Sequence, residues 1–304
     1  MAVVSGIGRP VHKRRQLWRA LPFVAPFVVL FSIVYLVPTI YSIVQSLFAV
    51  RRSGLGLGSA EQQFVGLSNY LRVFQDGEFL SSLGRVALIG VIQVPIMLGL
   101  ALFLALLIDS RVSIGRKTFR VAYFIPYGLP GVIAGLVWSF LYAPSLSPVV
   151  NLAATLGIHI DFTSDAALPF SIANILTWAW TGYNTILIYS ALQAIPEETL
   201  EAAAVDGCSG WRAALKIKIP QIRPAILLTL VFSIIGTFQL YNEPVTMKAI
   251  APNLSSSYTP IMDIMQSLSG NDYNYAATQA VVLGAIICIA SVFVFRASAK
   301  SQDS

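Results

Sequence analysis

The sequence predicts an all-α polytopic membrane protein, with six transmembrane helices, both termini in the cytoplasm and one structured cytoplasmic loop. Three observations carry this. Of 304 residues, 56% are hydrophobic and only 11% charged, where soluble domains carry roughly 25% charged residues. Six stretches hold no charge at all, at 20–50, 86–108, 121–160, 166–196, 224–242 and 273–295, and each can hold the ~20 apolar residues that cross a bilayer. Finally, 15 of the 20 Lys and Arg fall on one side of the resulting topology, as cytoplasmic loops near span ends require.

The elements follow in order. Apolar runs such as Leu98 to Ile108 are continuous, whereas a β-barrel strand alternates apolar and polar residues, so the spans are helices. The first follows Arg9, Lys13, Arg14, Arg15 and Arg19. Its 31 uncharged residues far exceed the apolar region of a signal peptide, so it remains as an anchor. Pro144, Ser145, Ser147 and Pro148 end the third span near Ala143. Spans are expected at 21–48, 84–108, 119–143, 168–194, 222–242 and 275–296. They form a six-span membrane domain at 21–296, between a basic tail at 1–20 and a short tail at 297–304. Arg111, Arg116, Lys117, Arg120, Arg212, Lys216, Lys218, Arg223, Arg296 and Lys300 join the five N-terminal bases on the cytoplasmic side; Arg51, Arg52, Arg72, Arg85 and Lys248 lie outside. Topology therefore explains the net charge of +6 without a nucleic-acid partner. Prolines at 22, 26, 38, 95, 126 and 130 lie within spans, where kinks are expected. Gly131 and Gly135 form a small-xxx-small pair suited to close helix packing.

Several chemistries are missing from the sequence. Gly115, Arg116, Lys117 and Thr118 only look like a phosphate-binding loop, since Lys does not directly follow Gly. His12 and His159 stand apart from any Ser, Cys or second His, and Cys208 and Cys288 are far apart, so no catalytic or metal constellation and no disulfide framework forms. An ion-coupled carrier would place charge at mid-membrane; here only Arg85 and Glu243 sit at outer span ends. The energy source is expected on another subunit.

The longest cytoplasmic loop, 197–220, reads as two short helices. Pro196 suits a first turn, Glu197 and Glu198 complement the helix dipole, and Glu201, Ala202, Ala203 and Ala204 have high helix propensity. Gly207 is expected to end this helix at φ > 0, with Ser209 capping a second. There Trp211, Leu215 and Ile219 fall at i, i+4 and i+8, and Pro220 is expected to stop the turn. The bland reading is a cover over the span ends.

Glu201, Ala202 and Ala203, then Gly207, and after nine intervening residues Ile217, Lys218, Ile219 and Pro220, resemble the EAA---G---------I-LP motif of ABC importer permeases, with Ile219 in place of Leu. The likeness spans most of the chain and narrows to the carbohydrate-uptake, maltose-type permeases. Phe64 to Tyr70 is similar to their FxGLxNY segment, as are Phe124, Ile125, Pro126 and Tyr127 with Trp138, and Leu192 to Glu198 before the motif. The family's TxGGP segment is absent after span five, where Lys248 to Asn253 stand instead. The resemblance implies the type I importer permease fold in a bacterial or archaeal cell membrane. It also implies a second homologous permease, two ATPase subunits that carry ATP and Mg, and an extracytoplasmic sugar-binding protein. The chain itself would need no cofactor and would not be an enzyme. Glu201, Ala202, Ala203, Asp206, Gly207, Ile217 and Pro220 would couple to an ATPase.

Sugars are held by amides, hydroxyls and aromatic faces. Candidates for the path are Tyr183 and Asn184 in span four and Phe238, Gln239, Tyr241, Asn242 and Glu243 at the outer end of span five, with Asn174 and Gln93 as further amides. Read at 100° per residue, Phe238, Tyr241 and Asn242 share one face of a continuing helix and Gln239 and Glu243 the adjoining stripe. Interhelical hydrogen bonding is the competing reading for each amide, and Trp178 and Trp180 read as packing or interface anchors. Polyol, glycerol phosphate and peptide permeases are rival readings, and a secondary carrier or membrane enzyme more distant ones.

Overall fold

Backbone groups in hydrocarbon must be satisfied within the segment, which leaves helices as the solution for each apolar run. A computed structural model describes residues 13–52, 60–110, 115–208 and 210–300. Span one is α1 (Lys13–Phe31), a π-helical turn (Ser32–Leu36) and α2 (Val37–Gln45). Its end pairs β1 (Phe48–Arg52) antiparallel with β2 (Ala60–Phe64), leading into α3 (Ser68–Gln75) and the 33-residue α4 (Gly77–Asp109), which is span two. Next come α5 (Arg116–Phe124), a 3-10 turn (Ile125–Gly128), α6 (Gly131–Tyr142), α7 (Pro148–Thr155) and α8 (Leu168–Gln193). The loop expected on the cytoplasmic side holds α9 (Glu197–Val205), α10 (Trp211–Ala213), a π turn (Ala214–Lys218) and α11 (Ile219–Gln221). The chain closes with α12 (Arg223–Phe238), α13 (Asn242–Met247), α14 (Pro260–Ser269) and α15 (Tyr273–Lys300).

Among the described residues, Leu21–Gln45, Gly77–Asp109 and Tyr273–Ala297 are each long and apolar enough to cross a bilayer alone. Two bent pairs supply further spans, Arg116–Gly128 with Gly131–Tyr142 at 93° and Trp211–Gln221 with Arg223–Phe238 at 68°. The third span, expected over 119–143 with kinks at its prolines, is two helices meeting at a near right angle. The cause is Pro126 and Pro130, which remove two ladder donors, with Leu129 and Pro130 both in extended backbone. The remaining span, span four (α8), owes its place to burial. It packs against α4 through Ile172, Ile175, Leu176, Ile188 and Leu192, and it carries Asn174, Thr181, Asn184 and Thr185. A helix surrounded by protein need not be apolar toward lipid.

Proline also explains both π turns. The amide just before Pro38, that of Val37, donates to Ser32 O, and the amide just before Pro220, that of Ile219, donates to Ala214 O. A five-residue step widens the helix where a proline ring would otherwise crowd the carbonyl four residues back. The expectation that Pro220 stops the second loop helix is thus corrected: the helix runs on to Gln221 and bends only at Ile222.

The FxGLxNY-like segment fastens the end of span one. Gly66 takes φ +57°, turning the chain into α3. Asn69 Nδ2 then donates to Ser46 O at 2.9 Å, a carbonyl that the helix end releases, and to Phe48 O at 2.8 Å at the start of β1. The Tyr70 hydroxyl bonds Ser46 Oγ at 2.7 Å. The small glycines of α6 meet α13: a Cβ on Gly135 would lie 1.9 Å from Thr246 Oγ1, and one on Gly131 2.9 Å from Glu243 Oε1. The expected close packing of this pair is present, with α13 as its partner.

Candidate functional site

The cytoplasmic loop is built around one corner. Pro196 is the N-cap of α9 rather than a residue of its first turn, at φ −59° and ψ 136°, and Glu197 and Glu198 stand in that turn. At the other end Gly207 N–H donates to Ala204 O at 3.1 Å and Cys208 N–H to Ala203 O at 2.8 Å, while Gly207 takes φ +74°. That pair of bonds is a Schellman closure, the left-handed glycine expected here. The expected Ser209 cap lies outside the described residues; Gly210, at φ +56°, is the N-cap of α10 and makes no side-chain cap bond.

One face of the loop is anchored and the other free. Ala203, Ala213 and Ala214 are buried, whereas Glu201, Ala202, Asp206 and Gly207 are exposed and Val205 is 88% exposed. Ile217 and Pro220 are half-buried where the loop returns to the bundle. Lys218 pairs with Asp109 at the end of α4, and Gln193 Nε2 donates to the same carboxylate at 2.6 Å. These bonds tie the loop to the cytoplasmic ends of two spans. Asp109 escaped the sequence reading, although an acid closing an apolar run beside a basic loop is a visible signal.

A second site lies between α4, α8 and α12. A cavity of ≈ 40 Å³ is lined by Gln93, Met97, Leu176, Trp180, Tyr183, Asn184, Phe232, Ser233, Gly236 and Thr237. Its polar groups are tied to one another. Thr237 Oγ1 donates to Gln93 Oε1 at 3.2 Å, and Asn184 Nδ2 to Trp180 O at 3.0 Å. Such a volume admits water but no sugar, since ligand pockets run to about 300–1,000 Å³. Beside it stands an aromatic wall: Tyr127 stacks on Tyr183 at 4.6 Å, and Trp180 meets both rings edge-on at 5.3 and 6.1 Å. The bend of span three delivers Tyr127 there. Gly182 permits it, because a Cβ at that position would sit 1.7 Å from Tyr123 O.

Of the residues singled out from sequence, Tyr183, Asn184 and Gln93 meet at this cavity. The five at the outer end of span five do not form the single face expected of them. Helix α12 ends at Phe238 and α13 begins at Asn242, so Gln239, Leu240 and Tyr241 are not helical. Pro244 explains the break, because its ring would crowd the carbonyl of Leu240; that carbonyl instead accepts the Thr259 hydroxyl at 2.8 Å. Phe238 packs toward Tyr275 and Ile264, Tyr241 toward Met247 and Leu254, Glu243 is buried near Gly131, and Gln239 and Asn242 are exposed. Asn174 donates to the Tyr142 hydroxyl at 2.8 Å, the interhelical bond its competing reading supposed. Trp178 packs on Trp138 as an anchor, whereas Trp180 lines the cavity. Ser233, Gly236 and Thr237 escaped the reading; their i, i+3, i+4 stripe of small residues was the available sign.

Residues 96–303 match the family model described as "Binding-protein-dependent transport system inner membrane component". The chain is 31% identical to the lactose transport system permease protein LacF of Rhizobium radiobacter, over 92% of this chain and 94% of that one. It is 28% identical to the trehalose transport system permease protein SugA of Mycobacterium tuberculosis, over 96% and 92%. Identity to the sn-glycerol-3-phosphate transport system permease protein UgpA of Agrobacterium fabrum is 29%, over 91% and 94%. A crystal structure of a bacterial ABC transporter for import of the acidic polysaccharide alginate contains a chain of the same fold, with a TM-score of 0.78 at 20% identity over 94% of this chain and 96% of that chain. By the family match and the sequence likeness, the chain belongs to the inner-membrane components of binding-protein-dependent transport systems, as a non-enzymatic permease subunit of an ABC importer.

Proposed function

We propose that this permease forms half of the path for a neutral mono- or oligosaccharide, and that a second homologous permease completes it. Two ATPase subunits bind from the cytoplasm and carry ATP and Mg. An extracytoplasmic sugar-binding protein delivers the substrate. The carrying observation is the lining of the cavity between α4, α8 and α12, which offers amides, hydroxyls and aromatic faces and no Lys, Arg, Asp or Glu. That is the chemistry of an uncharged polyhydroxy ligand. The names of LacF and SugA lean the same way. The UgpA likeness favours glycerol phosphate, but a phosphate would seek a cationic partner that this lining lacks.

In this reading the exposed edge of α9, with Glu201, Ala202, Asp206 and Gly207, inserts into one ATPase. Ile217 and Pro220 hold the return of the loop to the bundle. Closure of the ATPases on ATP moves α9, and the Lys218–Asp109 and Gln193–Asp109 bonds pass the movement to α4 and α8. Both helices line the cavity, so displacing them would open a space now too small for sugar. Both termini stay in the cytoplasm, as the distribution of Lys and Arg requires.

Uptake by the complete importer in proteoliposomes tests the substrate class. Labelled neutral disaccharides should enter and sn-glycerol-3-phosphate should not. Asn184→Ala should lower sugar uptake about ten-fold, the effect of one lost hydrogen bond of ~1.4 kcal/mol. Entry of the phosphate alone would overturn the proposal.

A further inference from the structure

A cavity of ≈ 470 Å³ lies beneath the cytoplasmic loop, apart from the path described above. It falls in the about 300–1,000 Å³ range of ligand sites. Phe103, Leu106 and Leu107 of α4 form one wall, Leu200 and Ala204 of α9 the roof, and Trp211 and Lys218 the far side. Phe103 and Leu107 are also exposed on the outside of span two, as is Trp211 on the loop. The cavity therefore lies beside apolar residues exposed on the outside of span two.

Its depth and charge select the occupant. The last helical residue of span two, Asp109, and the next, Ser110, form its rim, at the level where span two gives way to cytoplasmic loop. Arg116 stands at that rim with Nη2 donating to Ser110 O at 2.7 Å, and among the described residues it has no carboxylate partner. Asp109 is already satisfied by Lys218 and Gln193, which leaves further Lys218 N–H groups for an acceptor. Trp211, half out of the cavity wall, is the kind of side chain that suits an interface between apolar and polar surroundings. A mostly apolar chamber beside the outer surface of a span, with a guanidinium next to its rim that has no carboxylate partner among the described residues, fits one acyl chain and an anionic headgroup.

We infer that this cavity binds an anionic phospholipid of the cytoplasmic leaflet, with an acyl chain between α4 and α9 and the phosphate at Arg116 and Lys218. The lipid would then fill the space between the loop that meets the ATPase and the span that lines the sugar path, making coupling sensitive to membrane composition.

The test uses the complete importer in nanodiscs and reads quenching of Trp211 emission by brominated phospholipids, as the difference between wild type and Trp211→Phe. Dibromo-phosphatidylglycerol should quench at about five-fold lower mole fraction than dibromo-phosphatidylcholine, the preference one base supplies at ~1 kcal/mol. Arg116→Gln should abolish the preference while leaving the complex assembled, since its described bond is to one carbonyl. Equal quenching by both lipids would show ordinary exposure to the bilayer and overturn the site. So would absence of quenching, which would mean that a partner subunit fills the cavity.

Discussion

Glu201 projects from α9 beside the 88% exposed Val205, while Ala203 two positions on is buried against the bundle. A charge and an apolar side chain held out on a rigid turn are useful only to a partner. Glu201→Lys should weaken recovery of the ATPase in a pull-down about ten-fold more than Glu201→Gln, because reversal adds repulsion against a basic cleft where the amide only removes attraction. Equal recovery would reduce Glu201 to a solubilising residue. On the outer side Asp263 is buried in α14, accepting from Gln279 Nε2 at 2.7 Å. Burial, then the carboxylates of Asp76 and Glu78, push its carboxyl from 3.8 up to about 6, against smaller opposing effects of Gln279 and Arg85. A raised folded-state value means the protonated form is the better folded one. Its contribution is complete below 3.8 and is lost as pH rises through about 6. Asp263→Asn, which keeps an acceptor for Gln279, should therefore raise the thermal midpoint of the complex at pH 7.5, with the gain shrinking as pH falls below 6. A gain independent of pH would remove Asp263 from the titration.

Span three comes to stand beside the cavity, through Tyr127 on Tyr183, only because α5 lies against α8 at Gly182. A Cβ there meets the backbone of Tyr123, at 1.7 Å from its O and 2.5 Å from its C, so no side-chain rotation relieves the clash. Gly182→Ala should cost at least the ~1–3 kcal/mol of an overpacked core, read as a lower thermal midpoint, and should move Tyr127 off Tyr183. An unchanged midpoint would mean that α5 is free to shift. The same elements show how much was legible beforehand. Charge-free runs and breaker residues placed α8 at its observed ends within a residue, because both ends are set locally by Pro169 and by the glutamates after Pro196. The π turns before Pro38 and Pro220 were not legible, since proline marks a problem and the widened turn is one of several solutions. The break after Phe238 was written in Pro244, yet it needed Thr259, nineteen residues from Leu240, to take the freed carbonyl. In the cavity Tyr183 and Asn184 were legible as polar groups in a span, whereas Ser233 and Thr237 were hidden because small hydroxyls bond their own helix in any span.

Across the whole molecule one line of contacts runs from the 197–220 loop to the cavity proposed for the sugar. The Gly207 corner fixes the direction of α9, Asp109 ties the loop to α4 and α8, and those two helices with α12 enclose the cavity. Span one lies on the surface of this body, with none of its most apolar stretch buried within the chain, and so it awaits lipid or the second permease. If the line carries the work of ATP, disturbing its first corner should disconnect uptake from hydrolysis without dismantling the membrane domain. The most direct measurement is ATP-driven, binding-protein-dependent sugar uptake into proteoliposomes by the complete importer, comparing wild type with Gly207→Val. Valine at φ +74° is disfavoured by ~1–2 kcal/mol, enough to populate other geometries about ten-fold. Uptake should fall roughly ten-fold or more, with the second permease still bound and hydrolysis no longer stimulated by loaded binding protein. Wild-type uptake by Gly207→Val, or sugar entry that continues without ATP, would contradict this.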